Sequence, residues 1–141
     1  MDNDKRQALH IATQSGWYRF ENQGGEWKQT DRALTFWSLT CLSIDPERPR
    51  VVYAGTEHSG LFISQDRGAH WLRANPNVPK LMLFSLLALP GAVLVGTVPA
   101  AMYEGENGRN WREIEGVRKG SQNATFPPSP ELQSRTRFIA A

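Results

Sequence analysis

The chain has 141 residues, the size of one ordinary domain, and 40% of them are apolar, which predicts a packed core and argues against global disorder. Twelve glycines and nine prolines predict many turns and favour an all-β chain. A formal net charge of +2 is too small to predict a nucleic-acid partner. The polar start resembles no signal peptide, and the longest apolar stretch, 81–96, is interrupted and too short to cross a bilayer. We therefore expect a soluble, cytoplasmic protein that does not bind membranes.

Three segments of the chain align with one another as an internal repeat. They begin at Gly16, Gly60 and Ala100, and each places a turn glycine eight residues on and a tryptophan eleven residues on. The three tryptophans, Trp27, Trp71 and Trp111, are therefore 44 and then 40 residues apart. That period is typical of the four-stranded blades of a β-propeller.

The repeat predicts the strands of each blade, which are labelled A to D from the axis of a propeller outward. The first blade lacks strand A, and the next two are complete. The predicted strands are 8–13, 17–20 and 27–29; then 38–44, 51–56, 61–64 and 71–73; then 83–89, 92–97, 101–104 and 111–114. On propensity alone the leucine-rich run 81–89 is also compatible with a helix, but the following Pro90-Gly91 and the repeat register favour a hairpin.

The predicted organisation is a propeller segment of about three antiparallel blades over 1–116. A Pro/Ser/Gly-rich loop follows over 117–134, and 135–141 is predicted as the inner strand of a following blade or as a closing strand. A propeller ring closes with about four to eight blades, so we expect an incomplete ring. A fragment of a longer propeller, a half-ring that closes as a homodimer, and an open arc remain alternatives.

The second repeat contains the pattern Ser-x-Asp-x-Gly-x-x-Trp, formed by Ser64, Asp66, Gly68 and Trp71. Asp66 is expected to accept hydrogen bonds from backbone N–H groups two residues on, and Gly68 to adopt a positive φ. Trp71 is expected to pack its ring under the hairpin. These residue types shape a turn and perform no chemistry, so we interpret all four as structural.

This pattern resembles the Asp-box, or BNR motif, of sialidase-like β-propellers. Over about residues 7–115 the chain resembles the WD-repeat/YVTN/BNR-like propeller family, and most closely its bacterial BNR-repeat proteins loosely grouped with the glycosyl hydrolases. The flanking copies depart from the motif, with Asn22 in the first blade and Glu106 in the third at the Asp position. The resemblance implies a β-propeller and leaves the function open.

If the resemblance extended to the activity of sialidases, it would imply a catalytic cluster at the propeller axis, made of three arginines, a Tyr–Glu pair and an Asp that acts as the acid. Tyr18 and Tyr103 fall on C strands away from the axis, and the inner-strand cores carry no arginine. Asp45 lies in an A–B turn on the wrong face, and Asp66 is a turn residue, so no catalytic pair of carboxylates is predicted.

Neither a cofactor nor a metal is predicted, because the three histidines have no partner at ligand spacing. The one cysteine, Cys41, excludes an internal disulfide. Its apolar alternating run favours a buried strand position, with a reactive thiol as the alternative.

The loops remain as the candidate binding face. In a propeller the B–C and D–A loops lie at one end of the axis, and here they carry Trp37, Glu57 and His58. Trp37 is interpreted either as an exposed contact for a partner or as packed between neighbouring A strands. We expect a non-catalytic scaffold or binding module for a protein, small-molecule or glycan partner. The alternative is a fragment of a carbohydrate-active propeller with its catalytic residues on missing blades.

Overall fold

The computed structural model describes residues 7–74 and 82–117, which form three antiparallel sheets. In each sheet the strands are hydrogen-bonded in chain order. The first sheet contains β1 (Ala8–Thr13), β2 (Gly16–Gln23) and β3 (Glu26–Ala33). The second contains β4 (Leu39–Ile44), β5 (Val52–Thr56), β6 (Leu61–Ser64) and β7 (Leu72–Arg73). The third contains β8 (Met82–Leu89), β9 (Ala92–Val98), β10 (Met102–Glu106) and β11 (Arg109–Glu113), and a single helical turn follows at 115–117.

This architecture is a partial β-propeller, so the predicted fold class is confirmed. The strands found in 7–74 and 82–117 match the repeat register, and the leucine-rich run is the strand β8 rather than a helix. β3 is longer than predicted because Gly24 and Gly25, with φ of 65° and 91°, form a tight turn that keeps β2 and β3 paired as far as Trp17 and Ala33. The predicted loop 117–134, beyond its first residue, and the predicted strand 135–141 lie outside the described residues.

The second and third sheets are joined through their inner strands. The Thr40 hydroxyl donates to the Leu83 carbonyl, and the Ser43 hydroxyl accepts the Ala88 N–H at 2.9 Å. Gly55 allows the close approach, because a Cβ there would lie 3.1 Å from the Cβ of Leu83 on the third sheet. A shared apolar cluster fills the interface: Val51, Tyr53, Leu61, Leu83, Leu86, Ala88, Val93 and Val95. Burial of this apolar area is the main force that holds the two blades together.

Cys41 packs against that cluster from strand β4. Burial raises the pKa of its thiol to about 11, and hydrogen bonds with Thr40 and Gly55 offset only part of the rise. A thiol is a poor nucleophile when its pKa is so high. The structure therefore favours the packing role that the sequence predicts for Cys41.

The first and second sheets meet at a separate aromatic and aliphatic cluster. Its buried members are Trp17, Leu39, Ala54 and Phe62. Trp17 has no exposed surface, and its indole Nε1 donates to His10 Nδ1 at 3.2 Å. Trp17 is thus the side chain around which the first blade joins the second.

Candidate functional site

The Ser64–Trp71 turn connects β6 to β7 and has its polar atoms paired within the turn. The buried Ser64 hydroxyl donates to Asp66 Oδ1 at 2.8 Å and accepts the backbone N–H groups of Asp66 and Gly68 at 3.3 and 2.7 Å. Asp66 Oδ1 accepts the N–H of His70 at 2.8 Å, and the His70 ring lies 2.6 Å from Asp66 Oδ2. Asp66 thus bonds four residues on rather than the predicted two, because the Ser64 hydroxyl occupies the nearer N–H groups.

These hydrogen bonds determine the protonation state of Asp66. The backbone N–H of His70, then its ring and the Ser64 hydroxyl, stabilise the carboxylate and lower the pKa of Asp66 to about 2. A carboxylate with so low a pKa does not donate a proton near neutral pH. The geometry of Asp66 is that of a turn residue.

Trp71 contacts the preceding blade as well as its own hairpin. Its Nε1 donates to the Gly68 carbonyl at 2.9 Å, and its ring meets Trp17 edge-on at 5.4 Å between centroids. Gly68, with φ of 95°, lies so close to Trp17 that a Cβ would stand 2.2 Å from the indole. Sequence reasoning missed Trp17, whose only signal is a tryptophan at a position where the other repeats have Leu61 and Ala101.

We call the end of the sheets formed by loop residues 34–38 and 57–60 the loop end. There Trp37 is half-buried and packs on Phe62 of β6, with the two ring centroids 5.1 Å apart, rather than between A strands. The exposed ring belongs to its neighbour Phe36, which is 91% exposed. Phe36, rather than Trp37, therefore offers the larger aromatic surface at this end.

Glu57 and His58 lie beside that aromatic pair. The backbone N–H of Glu57 donates to the Ser38 carbonyl at 3.0 Å, which ties the two loops together. The side chains of Glu57 and His58 are exposed to solvent and approach within 3.8 Å of each other. The structure thus gathers the predicted residues Trp37, Glu57 and His58 at one end.

A groove of about 860 Å³ lies at the opposite end, between the second and third blades. Its walls come from β7, from the A–B loop of the second blade and from the C–D turn of the third. We call it the interblade groove; among its lining residues are Arg48, Tyr53, Ile63, Leu72, Arg73 and Arg109. Sequence reasoning missed it because its arginines are scattered along the chain and meet only when the blades pack.

An ion pair between the buried Asp45 and the half-exposed Arg48 fixes one wall of this groove. Asp45 is buried, and its Oδ1 accepts the N–H groups of Glu47 and Arg48, each at 3.0 Å. Arg48 Nη2 lies 2.7 Å from Asp45 Oδ2 and 3.0 Å from Asn107 Oδ1 on the third blade. Burial alone would raise the pKa of Asp45, but the bonds from Arg48 and Glu47 outweigh it and hold the pKa below its usual value.

Asp45 and Asp66, the two acidic residues considered above for catalysis, do not suit the general acid of glycoside hydrolysis. The general acid of a glycosidase needs a raised pKa. Asp45 and Asp66, the carboxyl groups whose pKa is clearly shifted, both move downward. Residues 7–74 and 82–117 also contain no group of three His, Cys, Asp or Glu side chains able to hold a metal ion. Within the same ranges no helix has the length and apolar character needed to cross a membrane.

Comparison with solved structures supports the fold. One similar structure is that of YCF48 bound to a D1 peptide, with a TM-score of 0.54 and 16% identity; the match covers 84% of this chain and 47% of that one. Another is a GH74 xyloglucanase from Xanthomonas campestris, with a TM-score of 0.52 and 20% identity, covering 77% of this chain and 22% of that one. Both are β-propellers.

At these identities the similarity establishes the fold alone. This chain spans about half the length of the YCF48 chain (47%) and about a fifth of the xyloglucanase (22%). No family model matches the chain. None of the curated proteins matches it either.

Proposed function

We propose that this partial propeller is a non-catalytic binding module whose loop end binds a protein partner. The observation that carries the proposal is Phe36, which is 91% exposed on a turn closed by a backbone hydrogen bond. Burying a phenylalanine ring at an interface removes a large apolar area from water. Aromatic side chains are accordingly enriched at the centres of protein interfaces.

The backbone around Phe36 is held in place before any partner binds. Leu34 has φ of 54°, and its carbonyl accepts the Trp37 N–H at 3.1 Å, which closes a turn around residues 35 and 36. Trp37 then anchors that turn on Phe62. A contact residue on a fixed turn loses little backbone entropy on binding, which favours affinity.

Glu57 and His58 would form a polar rim beside Phe36. An interface of this kind has an apolar centre and a polar, solvent-accessible border. The rim would select the partner's charge pattern, while the ring of Phe36 would supply most of the affinity.

The solved structures are compatible with this proposal and with its alternative. YCF48 was solved with a peptide, which supports a protein partner, and the xyloglucanase supports a carbohydrate-active parent with catalytic residues on other blades. We favour the binding module because its loop end carries the exposed ring of Phe36. In addition, Asp45 and Asp66 are held as carboxylates by hydrogen bonds within their own turns, which does not suit a general acid.

The proposal is tested by selecting peptides from a phage-displayed random library on the 141-residue protein. Selected peptides are then synthesised and titrated against the protein and against Phe36→Ser. We expect Phe36→Ser to weaken binding by about tenfold or more, the effect of removing an interface residue worth more than about 1.4 kcal/mol.

The matched control is Ile44→Ser, which changes another exposed apolar residue at the far end of β4. It should leave the affinity unchanged. Selection of no peptide, or equal binding to the Phe36→Ser protein, would overturn the proposal. Binding of a xyloglucan oligosaccharide that no loop-end variant affects would favour the carbohydrate-active alternative.

We also propose a second copy of this chain as a partner. In the first blade Leu9 and Ile11 of β1 are exposed, and a matching surface on another copy would cover them. Light scattering on the purified chain tests this directly: a defined dimer supports it, and a monomer at all accessible concentrations contradicts it.

A further inference from the structure

We propose that the free edge of β1 is a second binding site, which takes an extended strand of a partner protein, without charged side chains, by antiparallel pairing. In the other two blades this place is filled by strand A, which is β4 or β8, whereas β1 pairs with β2 alone among the described residues. The site follows the backbone of β1 and does not involve Phe36, so the inference does not depend on the loop end.

Every second residue of β1 directs its backbone N–H and C=O groups away from β2. The Asn22 N–H donates to the Gln7 carbonyl at 2.9 Å, so these two residues form a hydrogen-bonded pair. Such pairs recur at every second residue of an antiparallel ladder, and Leu9 and Ile11 therefore also bond to β2. The residues that direct their N–H donors and C=O acceptors to the free edge are Ala8, His10 and Ala12.

The corresponding edge is covered in the second and third blades. β4 pairs antiparallel with β5, and β8 pairs antiparallel with β9. Val52 and Ala54 of β5 consequently have no exposed surface, whereas Leu9 and Ile11, which the repeat places at the same positions of β1, are 46% and 39% exposed. The molecule itself therefore shows what covers this edge of a blade, which is an antiparallel strand.

β1 lacks the features by which exposed edge strands avoid pairing with other chains. Charged side chains, prolines and bulges normally serve this purpose. The outer edge strand of the same sheet, β3, carries Glu26, Lys28, Asp31 and Arg32. In contrast, β1 reads Ala-Leu-His-Ile-Ala-Thr and pairs with β2 without a register shift. The contrast indicates that the edge of β3 stays in solvent and that the edge of β1 accepts a further strand.

The two A strands of the molecule show which side chains such a strand carries. Their central residues are Cys41, Leu42 and Ser43 in β4, and Ser85, Leu86 and Leu87 in β8. In both strands a small residue precedes a leucine, which packs in the cluster shared with the preceding blade. The same register places the small residue of the partner strand opposite Ala12 and its leucine opposite Ile11.

The residue opposite Ala12 has to be smaller than cysteine. The repeat places Ala12 at the position of Gly55, where a Cβ would lie 2.5 Å from the Cys41 sulfur of the paired strand. Because Ala12 has that Cβ, a serine, alanine or glycine fits opposite it and a cysteine does not.

β4 would flank the partner strand on its other side. In the complete blades the Ser43 hydroxyl accepts the N–H of Ala88 on the next A strand at 2.9 Å. The repeat places Ile44 at the position of Ala88. The Ile44 N–H points away from β5, because the following residue, Asp45, donates to the Val51 carbonyl and bonding alternates along the strand. A serine of the partner strand opposite His10 would therefore accept the Ile44 N–H.

The test uses fluorescein-labelled Lys-Thr-Ser-Leu-Ser-Ile-Lys as the probe. It copies the centre of β4 with serine in place of Cys41, and its terminal lysines keep it soluble. One matched peptide is N-methylated at the first serine, whose N–H would bond to β1, and another at the leucine, whose N–H would point away from β1. Binding to the full chain is measured by fluorescence anisotropy. We expect the methyl group on the serine to raise the Kd about tenfold more than the methyl group on the leucine, because only the former removes an inter-strand hydrogen bond.

The decisive variant of the protein is Ala12→Pro. Proline removes one N–H from the free edge and leaves the bonds between β1 and β2 in place, because the Ala12 N–H is not directed at β2. We expect it to raise the Kd of the probe about tenfold. Circular dichroism checks that the variant is folded.

A second variant, Ile11→Lys, keeps every backbone N–H. It places a charge where the leucine of the probe would pack, and should raise the Kd about fivefold. Its matched control is Leu72→Lys, which adds the same charge at a residue of β7 that is 71% exposed. The control should leave the Kd nearly unchanged.

Hydrogen exchange followed by NMR locates the probe independently of any variant. The N–H groups of Leu9 and Ile11 bond to β2 and should exchange slowly with or without the probe. The N–H groups of His10 and Ala12 should exchange fast in the protein alone and become protected when the probe binds. This alternation along β1 is specific to strand addition, since binding elsewhere has no reason to protect every second residue.

Several outcomes would overturn the proposal. Equal binding of the two methylated peptides, or equal binding of the probe to the Ile11→Lys and Leu72→Lys proteins, would show that the probe does not pair with β1. Slow exchange of His10 and Ala12 in the protein alone would show that this chain or a second copy of it already covers the edge. Phe36→Ser should leave probe binding intact, so that failure of the loop-end proposal and failure of this one are distinguishable.

Discussion

The C–D turns of the first and second blades have the same spacing of turn glycine and tryptophan but very different surroundings. In the second blade Gly68 lies against Trp17 of the first blade, and Trp71 is half-buried. In the first blade a Cβ at Gly24 would meet nothing within 4 Å, and Trp27 is 41% exposed. The turn of the second blade is therefore packed against the preceding blade in addition to having its own hydrogen bonds.

The third blade repeats the arrangement of the second. A Cβ at Gly108 would lie 2.8 Å from Ile63 and 3.0 Å from Tyr53, both on the second blade. Trp111 Nε1 donates to the Gly108 carbonyl at 3.2 Å, as Trp71 does to Gly68. In each of these two turns the glycine therefore packs against apolar side-chain atoms of the preceding blade.

The B strands of the first two blades, β1 and β5, show the same contrast. β5 is buried along its whole length, because β4 pairs with one of its edges and β8 packs against it. β1 pairs with β2 alone among the described residues, and Leu9 and Ile11 are exposed. The first blade is thus the least enclosed part of the described molecule.

The largest expected effect comes from removing the side chain on which the first two blades meet. Trp17→Ala should lower the free energy of unfolding by about 4 kcal/mol, because it leaves a cavity in a fully buried site. Trp27→Ala, at the exposed repeat position, should cost about 1 kcal/mol. Urea unfolding followed by circular dichroism measures both. Similar losses of unfolding free energy for the two variants would show that Trp17 contributes no more to stability than Trp27.

A smaller effect is expected at the turn glycines. Gly68→Ala forces a Cβ to within 2.2 Å of Trp17 at φ of 95°, and should cost about 3 kcal/mol. Gly24→Ala is its control, with a positive φ of 65° but open space, and should cost about 1 kcal/mol for backbone strain alone. Thermal unfolding of the two variants separates the clash from the strain. If Gly24→Ala lowered stability as much as Gly68→Ala, the clash with Trp17 of the preceding blade would contribute nothing to the cost of Gly68→Ala.

The smallest expected effect is a pH dependence at the junction of the first two blades. Burial, then the charge of Arg19, lowers the pKa of His10, whose Nδ1 must be neutral to accept the Trp17 indole proton. The unfolded chain therefore binds more protons below the ordinary value of about 6.5, and stability is lost as the pH falls through that value toward the lower pKa of the folded state.

His10→Gln keeps a side-chain acceptor that does not titrate. It should therefore remove the part of the dependence of stability on pH that His10 contributes between about pH 7 and 5. Urea unfolding of both proteins across this range measures it. An unchanged slope would show that His10 does not titrate in the folding equilibrium.

Much of the fold was predictable because strands and turns depend on short-range patterns. Short, continuous runs of mostly apolar residues, each with a Gly-Thr pair, place β5 and β9, and glycines at 24, 25, 68 and 108 adopt the positive φ values that tight turns need. The same repeat indicates β8 despite its leucine content. These features depend on neighbours in the sequence, which the sequence displays directly.

The site was only partly predictable. Trp37, Glu57 and His58 could be assigned to one end because the strand order of a blade decides which loops share an end. That Phe36 rather than Trp37 is exposed depends on the contact of Trp37 with Phe62, about which the dipeptide itself carries no information.

The sequence by itself determined the hairpins and the polar residues of the Ser64–Trp71 turn, since these arise within about ten residues of one another, and repetition of that local pattern every 40 to 44 residues determined the blade period and the order of the strands. The tertiary structure alone decided that Trp17 becomes the fully buried contact of two blades and that Arg48, Arg73 and Arg109 line one groove. The physical reason is that packing between blades joins residues distant in the chain, and the burial and charge of each then depend on the partner it meets.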